Sequence, residues 1–222
     1  MIFAILLGAG KGRRLKSDIP KSFIKLNGKE LFLYSVEKFY KFVDKIFLSL
    51  PKDYIKKGQN ILKDKFPDVI VIEGGRERKD SVINCLKKIE VDGIVLIHDV
   101  ARPFVSGNLI EKVIEGTQKY GACIPVLKMI DTVKEVKYNF VKKTLERENI
   151  FIVQTPQGFK IDLIKTAYLK FKNMKGTDDS FFVEKMGYNK IYCIDGEKTN
   201  IKITYPDDLI FAEFLIKKWG KE

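Results

Sequence analysis

Glycines and cations alternate in one short segment near the start of the chain, LLGAGKGRRLKSDIPKSF, residues 6–23. Small residues let backbone N–H groups approach phosphate oxygens, and Arg or Lys side chains neutralise the charge on those oxygens. The apolar run at 2–7 has the pattern of a buried strand. The sequence therefore predicts a phosphate-binding loop after a strand, with the cations Lys11, Arg13, Arg14, Lys16 and Lys21.

This loop matches neither of two common phosphate-binding patterns. The Walker A pattern G-x-x-x-x-G-K-[ST] would need a glycine at Ile5 and a hydroxyl residue at Gly12. The dinucleotide pattern G-x-G-x-x-G fits Gly8 and Gly10 but ends at Arg13, and no acidic residue ends the second predicted strand. We therefore expect a different kind of phosphate loop, with an unusual density of positive charge.

Two later loops have related chemistry. In EGGRERKDS, residues 73–81, Gly75 allows close approach of the backbone to a flat ligand and Ser81 offers a hydrogen bond. In IHDVARP, Asp99 is suited to orient a sugar hydroxyl or to join the shell of a Mg²⁺ ion. The single histidine, His98, supports neither a Ser-His-Asp triad nor a histidine-based metal site, and a packed histidine at a strand end is the simpler interpretation.

These residue types favour phosphoryl or nucleotidyl transfer over covalent catalysis. No pairing of a nucleophile with a base can be assembled from the motifs. Nucleotidyl transfer needs mainly positioning and cations around the reacting phosphorus. An attacking phosphate monoester has a second pKa of about 6 and is largely dianionic at neutral pH. Such a nucleophile needs cations to approach a second anion, and it needs no general base.

The charge balance allows a competing interpretation. The chain has 41 Lys and Arg against 29 Asp and Glu, a net charge of +12, which favours polyanionic partners. A nucleic-acid-binding protein would group its cations on one face among aromatic side chains. Here the densest cations lie in a glycine loop, most aromatic residues have core spacing, and the remaining lysines fit solvated helix faces. We therefore expect no nucleic acid as a partner.

Composition indicates an ordinary globular protein, with 45% hydrophobic and 32% charged residues among 222. No run of about 18 apolar residues occurs, so we expect no membrane partner. The absence of a basic leader before the first strand favours a cytoplasmic protein. Cys85, Cys123 and Cys193 have no metal-binding or redox spacing and are predicted to be reduced thiols in the core.

Short apolar runs alternate with amphipathic stretches along the chain, which predicts a Rossmann-like α/β fold with a doubly wound, mostly parallel sheet. Residues 1–222 are expected to form a single nucleotidyltransferase-type domain. The predicted buried strands are 2–7, 45–50, 68–74, 93–99, 121–127, 150–155 and 190–195. The clearest helical patterns lie at 31–42, 77–89 and 107–119.

Two segments depart from this alternation. Residues 131–151 have polar alternation of period two on both sides of Tyr138 and Asn139, which predicts a β-hairpin arm that projects from the sheet and could form a dimer contact. The last helix begins near TYPDDL, where Thr204 is a predicted cap and Pro206 suits the first helical turn.

In combination, these motifs resemble the 2-C-methyl-D-erythritol 4-phosphate cytidylyltransferases of the non-mevalonate isoprenoid pathway. The motifs occur in the order GAGKGRR, PKSF, GGRERKDSV, HDVARPFV, DTVKEV, TPQGF, TDDSFFVEKMG and NIKITYPDDLIFAEFLI and cover essentially the whole chain. A sister branch, the ribitol-5-phosphate cytidylyltransferases of wall teichoic acid synthesis, shares many of them. The chain has HDVARP where the family commonly has HDAARP, so that Val100 replaces an alanine beside the nucleotide.

The resemblance implies transfer of CMP from CTP to a polyol phosphate, with Mg²⁺ as cofactor and a homodimer joined through the arm. It implies that Mg²⁺ is held mainly by the CTP phosphates, with Asp99 as a protein ligand. The residues implied for catalysis are Arg14, Lys21, Arg147 and Lys202. Those implied for nucleotide binding are Gly8, Ala9, Gly10, Gly12, Arg13, Gly75, Arg78, Ser81, Asp99 and Val100. Arg102, Thr132 and Thr177 are implied for binding the acceptor, and the partner subunit is expected to supply Thr132 and Arg147.

Overall fold

A computed structural model describes residues 1–10, 12–15 and 17–219, with only the backbone at 13 and 219. Lys11 and Lys16, two of the cations predicted for the opening loop, lie outside this set. Among the described helices, none is long and apolar enough to cross a membrane. The described strands are β1 (Ile2–Leu7), β2 (Lys25–Leu26), β3 (Lys29–Glu30), β4 (Lys45–Leu50), β5 (Ile70–Glu73), β6 (Ile94–Asp99), β7 (Ala122–Lys128), β8 (Val133–Lys137), β9 (Phe140–Leu145), β10 (Phe151–Val153), β11 (Gln157–Lys160) and β12 (Ile191–Asp195). The helices are α1 (Leu31–Phe39), α2 (Ile55–Leu62), α3 (Arg78–Leu86), α4 (Gly107–Tyr120), α5 (Ile161–Lys170), α6 (Ser180–Lys185) and α7 (Pro206–Trp219).

The central sheet has the predicted, mostly parallel architecture. β1 lies between β4 and β6 and runs parallel to both, and β5 is parallel to β4. On the other side, β11 is inserted antiparallel between β6 and β7, with Gly158 paired to Leu96 and Cys123. β12 pairs parallel with β7, and β10 pairs antiparallel with the end of β7. The sequence pattern predicted the parallel strands but did not reveal β11.

Alternate side chains of each central strand enter opposite hydrophobic layers, as the strand period requires. In β1, Ile5 packs in the layer that contains α3, α5 and α6, whereas Leu6 packs in the layer that contains α1, α2 and α4. Both side chains are fully buried. The sheet is therefore covered by helices on both faces, which explains why its central strands have continuous apolar sequences.

Two predicted strands form but are largely exposed, and a third, β5 at the opposite edge of the sheet, is only half-buried. β10 is exposed along its length, and β12 is exposed at its middle residues because it lies at the edge of the sheet. For the same reason Cys193 is exposed, so the prediction that all three thiols lie in the core was wrong for Cys193. Cys85 and Cys123 are buried and free, as expected.

The predicted arm forms the hairpin β8–β9, which is paired antiparallel and separate from the main sheet. Its turn lies at Tyr138 and Asn139, which have φ values of 52° and 66°. Left-handed backbone at both turn residues is typical of the turns that join two-residue hairpins. The arm is almost entirely exposed.

α7 begins at Pro206, as predicted, but its cap differs from the prediction. The Thr204 hydroxyl donates to the Lys202 carbonyl, whereas Asp208 accepts from the backbone N–H groups of Thr204 and Tyr205 at 2.6 and 2.7 Å. Asp208 therefore satisfies backbone donors that precede the helix, as the acidic residue of a capping box does, and Thr204 does not act as the cap. α7 belongs to a third, smaller apolar cluster, whose buried members are Leu15, Leu26, Leu31, Ile203 and Ala212.

We predict that Gly158→Ala destabilises the protein by about 2 kcal/mol, since overpacking a full core typically costs this much. A Cβ at Gly158 in β11 would lie 2.0 Å from Thr117 Oγ1 and 2.9 Å from Val113 Cγ1, both in α4. Gly10→Ala is the matched control, because a Cβ there meets no described atom within 4 Å. Urea denaturation measures both, and equal free energies of unfolding for the two variants would contradict the packing argument.

Candidate functional site

Three loops meet at the carboxyl ends of neighbouring parallel strands, where open α/β sheets bind ligands. Backbone hydrogen bonds continue beyond the strands: Gly8 N–H donates to Ser49 O and Gly74 N–H to Leu50 O, both at 2.9 Å, and Val100 N–H donates to Leu7 O at 3.2 Å. Between the loops lies a cavity of about 490 Å³. Its predicted site residues are Gly8, Ala9, Gly10, Gly12, Arg14, Lys21, Gly75, Arg78, Ser81, Asp99, Val100 and Lys202.

The glycine loop is fixed to the segment that carries Lys21. Ser22 is buried, and its hydroxyl donates to Gly8 O at 2.7 Å. Gly12 has a φ of +60°, and a Cβ at this position would lie 3.2 Å from the Cβ of Lys21. Backbone conformation and close packing therefore both favour glycine at this position.

Lys21 lies half-buried at the cavity wall. Its Nζ donates to Ile203 O at 2.6 Å. Burial, together with the positive charges of Lys202 and Arg14, lowers the pKa of Lys21 to about 8. The ammonium group is therefore readily stabilised by an incoming anion, because a triphosphate would offset the repulsion between these cations.

Asp99 connects two cations from distant parts of the chain. Its Oδ1 accepts from Arg78 Nε at 3.1 Å, and its Oδ2 accepts from Lys202 Nζ at 2.6 Å. Burial would raise the pKa of the Asp99 carboxyl, but Arg78 and Lys202 hold that pKa well below its usual range. Asp99 is thus a permanent anion in a cavity otherwise rich in positive charge.

On the side away from the cavity, Arg78 is held by buried residues whose role the sequence analysis did not predict. Its Nη2 donates to Asp179 Oδ2 at 2.6 Å, and the other oxygen of this fully buried carboxylate accepts from Tyr168 OH at 2.6 Å. Gln157 Oε1 accepts from Asp179 N–H at 3.1 Å. The acidic pair before α6 was visible in TDDSFF, but no local pattern indicates its contact with Arg78, 101 residues away.

In the second loop, Ser81 fixes the backbone of its own loop. Gly75 N–H donates to Ser81 Oγ at 3.0 Å. A Cβ at Gly75 would lie 2.1 Å from the Cβ of Asp80, so this position has no room for a larger residue. Glu77 and Asp80 cap the start of α3 reciprocally. The predicted approach of the Gly75 backbone to a ligand is compatible with this geometry.

His98 is a packed histidine, consistent with the simpler interpretation of the sequence. It is fully buried, and its Nε2 lies 3.1 Å from Arg102 O, which can only accept, so in the neutral ring Nδ1 accepts from the Thr155 hydroxyl at 3.1 Å; the oxygen of that hydroxyl accepts from Asp99 N–H. Burial lowers the pKa of His98 to about 4, so the ring is neutral at neutral pH. Val100 is also buried and packs among the α1, α2 and α4 layer while lining the cavity.

Four further predicted residues do not line this cavity: Arg102, Thr132, Arg147 and Thr177. Arg102 Nη1 donates to Asn200 O at 2.8 Å, and its buried Nε has no partner among the described residues. Thr177 is exposed in the loop before α6. Thr132 and Arg147 line a separate cavity at the base of the arm, where the Arg147 guanidinium donates to Ile130 O. The side-chain contacts predicted for Arg13 lie outside the part of the chain that is described.

The residues of the cavity fit a Mg²⁺ ion that would be held mainly by the phosphates of a bound nucleotide. Among the described residues there is no group of three or more His, Cys, Asp or Glu side chains able to hold a metal. The cavity offers the carboxylates of Asp99 and Glu77. Mg²⁺ commonly binds one or two carboxylates together with substrate phosphates, so this donor set is compatible with the prediction for Asp99.

The fold and the cavity together are those of an α/β nucleotidyltransferase. A profile of the family described as 2-C-methyl-D-erythritol 4-phosphate cytidylyltransferase matches residues 2–218. Curated relatives with that name include one from Clostridium perfringens, 42% identical over 97% of this chain and 99% of its own length, and one from Clostridium kluyveri, 44% identical over 97% and 96%. The chain belongs to the 2-C-methyl-D-erythritol 4-phosphate cytidylyltransferase family.

Solved structures support the same assignment. The 4-diphosphocytidyl-2C-methyl-D-erythritol synthase of Anaerococcus prevotii superimposes with a TM-score of 0.86, 31% identity and 98% coverage of each chain. The 2-C-methyl-D-erythritol 4-phosphate cytidylyltransferase of Thermus thermophilus superimposes with a TM-score of 0.80 and 32% identity, over 96% of this chain and 98% of that one.

We predict that His98 makes the fold sensitive to mild acid. Because its pKa is about 4 in the folded chain and 6.5 when unfolded, the unfolded chain binds the extra proton between these values. Stability is then present above pH 6.5 and falls by roughly 3 kcal/mol as the pH falls to 4. The contribution of Asp99 is lost only at lower pH, because the pKa of its carboxyl lies below its ordinary value of 3.8.

Free energies of unfolding measured from pH 7 to pH 4 test this, with His98→Gln as the comparison, since glutamine keeps a donor and an acceptor but does not titrate. The wild-type protein should lose more stability than the variant across this range. Parallel stability profiles for the two proteins would contradict the assignment to His98.

Proposed function

We propose that this chain transfers CMP from CTP to 2-C-methyl-D-erythritol 4-phosphate, giving 4-diphosphocytidyl-2-C-methyl-D-erythritol and pyrophosphate in isoprenoid biosynthesis. The observation that carries the proposal is the single cavity in which a glycine loop faces Arg14, Lys21 and Lys202. Membership of the cytidylyltransferase family supports the choice of CTP and of this acceptor.

In the proposed reaction, a phosphate oxygen of the acceptor attacks the α-phosphorus of CTP. A new P–O bond forms as the bond from the α-phosphorus to the bridging β-oxygen breaks, and pyrophosphate leaves. Lys21 and Arg14 stabilise the charge on the five-coordinate phosphorus, and Lys202 contacts both reacting phosphates. The glycine loop admits the triphosphate, because Gly10 has open space where a Cβ would stand.

The reaction requires no general base. The acceptor phosphate is largely dianionic at neutral pH and is itself the nucleophile. His98 is unsuited to be a base, because both ring nitrogens are occupied and burial lowers its pKa to about 4. The protein therefore contributes binding, alignment and positive charge.

Mg²⁺ is part of the proposal, with Asp99 as the protein ligand beside the CTP phosphates. When bound, the ion would supply Lewis-acid stabilisation of the phosphate oxygens. Asp99 already holds Arg78 and Lys202, and its low pKa keeps it ionised across the physiological range. Arg78 and the Gly75 loop are proposed to hold the nucleoside, and Arg102 and Thr177 the acceptor.

The arm is proposed to complete the site of a second subunit. Thr132 and Arg147 line a cavity at the arm base and not the main cavity of their own chain. Apolar side chains are exposed at the arm tip, with Tyr138 at 82% and Phe140 at 77%. Such a patch marks an interaction surface. A homodimer would cover it and would bring Arg147 of one subunit to the other subunit's acceptor.

A cytoplasmic location belongs to the same proposal. It is supported by the cysteines, since the described chain has three free thiols and Cys193 is exposed. Exposed free thiols persist in reducing compartments.

Pyrophosphate release from CTP tests the reaction. We predict release with 2-C-methyl-D-erythritol 4-phosphate, slower release with D-ribitol 5-phosphate, and a loss of about 100- to 1,000-fold in kcat for Lys21→Ala and Lys202→Ala, because each removes a cation that stabilises the transition state. Lys112→Ala, on the exposed face of α4, is the matched control. Faster turnover of ribitol 5-phosphate would instead support the sister reaction.

Mixing inactive variants tests the trans arrangement of the arm. Lys21→Ala and Arg147→Ala are each expected to be inactive alone. A mixed dimer would contain one site with both intact residues, so an equal mixture should regain about a quarter of the wild-type activity. If the mixture remains inactive although mass spectrometry detects mixed dimers, Arg147 does not act in trans.

A further inference from the structure

Residues 197–203 are called the 197–203 segment here. The segment supplies the Lys202 side chain to the cavity and the Ile203 carbonyl that holds Lys21. Lys202 Nζ donates to Asp99 Oδ2 at 2.6 Å, and Ile203 O accepts from Lys21 Nζ at 2.6 Å. The segment has neither helix nor strand structure; its backbone hydrogen bonds include one turn, in which Asn200 N–H donates to Glu197 O at 3.0 Å, and one from Ile203 N–H to Ala101 O at 2.8 Å. Its conformation must therefore be determined largely by side chains that hold its backbone.

Gln154 holds the backbone at the start of this segment by hydrogen bonds. It is 3% exposed and precedes the Thr155-Pro156 pair between β10 and β11. Its Nε2 donates to Glu197 O at 2.8 Å, and its Oε1 accepts from Glu197 N–H at 3.1 Å. One side-chain amide thus pairs with both backbone groups of Glu197, in the same way that a neighbouring strand would.

Asn200 holds the middle of the segment. Its side chain is fully buried, and Nδ2 donates to Thr155 O at 2.9 Å and to Gln154 Oε1 at 3.3 Å. Its backbone carbonyl accepts from Arg102 Nη1 at 2.8 Å. Asn200 is therefore connected to Arg102 directly and precedes both Lys202 and the carbonyl that holds Lys21.

The cations arranged in this way are those proposed to act on the two phosphates, yet Asn200 does not line the cavity. We propose that Asn200, held by Gln154, is a positioning residue for nucleotidyl transfer: it sets the places of Lys202, Lys21 and Arg102 relative to one another. The inference rests on the reaction proposed above. Misplacement by about 1 Å can cost about 100-fold in rate, so such a residue affects turnover more than binding.

Asn200→Asp is the most direct test. The exchange preserves size but replaces the Nδ2 donor with an acceptor that faces Thr155 O and Gln154 Oε1, so the 197–203 segment should shift. Asn84→Asp makes the same chemical change at a half-buried position of α3, where Nδ2 donates to Glu73 O at 3.1 Å. We predict that kcat falls about 100-fold or more in Asn200→Asp, with less than a roughly tenfold change in KM for CTP, and that both constants stay near wild type in Asn84→Asp.

The pH profile of kcat/KM distinguishes positioning from simple destabilisation. Lys21 loses its charge above pH of about 8, so wild-type activity should fall there. Burial, Lys202 and Arg14 lower this pKa, whereas Asp99 and Asp208 oppose them. If the segment shifts, Lys21 becomes more hydrated and less close to Lys202, and the alkaline fall should move to higher pH. A variant that is only less stable would keep the fall near pH 8.

Two results would overturn the inference. One is an Asn200→Asp protein that melts at a lower temperature but keeps wild-type kcat and the same alkaline fall. If Asn200→Asp does not fold, Gln154→Met takes its place, because it removes the Glu197 hydrogen bonds without burying a charge. Its control is Gln118→Met, at an exposed position of α4. The second contradicting result is then a Gln154→Met protein with the same kcat and pH profile as this control. A wild-type protein that releases no pyrophosphate would contradict the proposed reaction itself, which is a separate failure.

Discussion

The cations proposed to bind a triphosphate repel one another, and this repulsion is the constraint around which the site is arranged. Lys21, Lys202 and Arg14 lie close enough to lower the pKa of Lys21. Asp99 offsets part of the repulsion by pairing with Lys202 and Arg78. Backbone carbonyls provide the rest, since a carbonyl satisfies an ammonium group without neutralising it. The cavity therefore keeps a net positive charge for its ligand while Lys21, Lys202 and Arg78 each have a hydrogen-bonded partner.

The buried network behind Arg78 extends this arrangement into the core. Asp179 is fully buried, and its two carboxylate oxygens accept from Arg78 Nη2 and Tyr168 OH, while its own backbone N–H donates to Gln157 Oε1. A charge pair at such depth stabilises the fold only when every polar atom has a partner, which is the case for the Asp179 carboxylate. The result is a rigid guanidinium whose other edge is presented to Asp99 and the cavity.

Local patterns in the sequence were sufficient for the elements that depend on local chemistry. The glycine loop, the central parallel strands, the arm turn at Tyr138 and Asn139, and the start of α7 all follow from residue type and spacing. β11 was not predicted, because QGFK is short and its antiparallel place between β6 and β7 is set by contacts far apart in the chain. Exposure of β10 and β12 was missed for a related reason, since apolar composition does not distinguish an edge from the centre of a sheet.

The candidate site also combines residues that local motifs indicate with residues that only contacts between distant segments bring into place. Residues predicted to contact phosphate stand in recognisable motifs, whereas residues that hold them, such as Gln154, Gln157 and Asn200, act through hydrogen bonds to other segments. These hydrogen bonds span 21 to 98 residues of chain. Neither spacing nor composition encodes such a contact, and only the folded geometry identifies it.

The long separation between Asp99 and Lys202, 103 residues, has a consequence for synthesis of the chain. The glycine loop and the first four strands of the sheet can emerge and pair early, but the Lys202 contact must wait until the last fifth of the protein has been made. Contacts between distant segments also form late in folding because closing long loops costs entropy. A nascent or truncated chain therefore presents the glycine loop without its completed set of cations, and competence to bind and activate the nucleotide arises only with the finished protein.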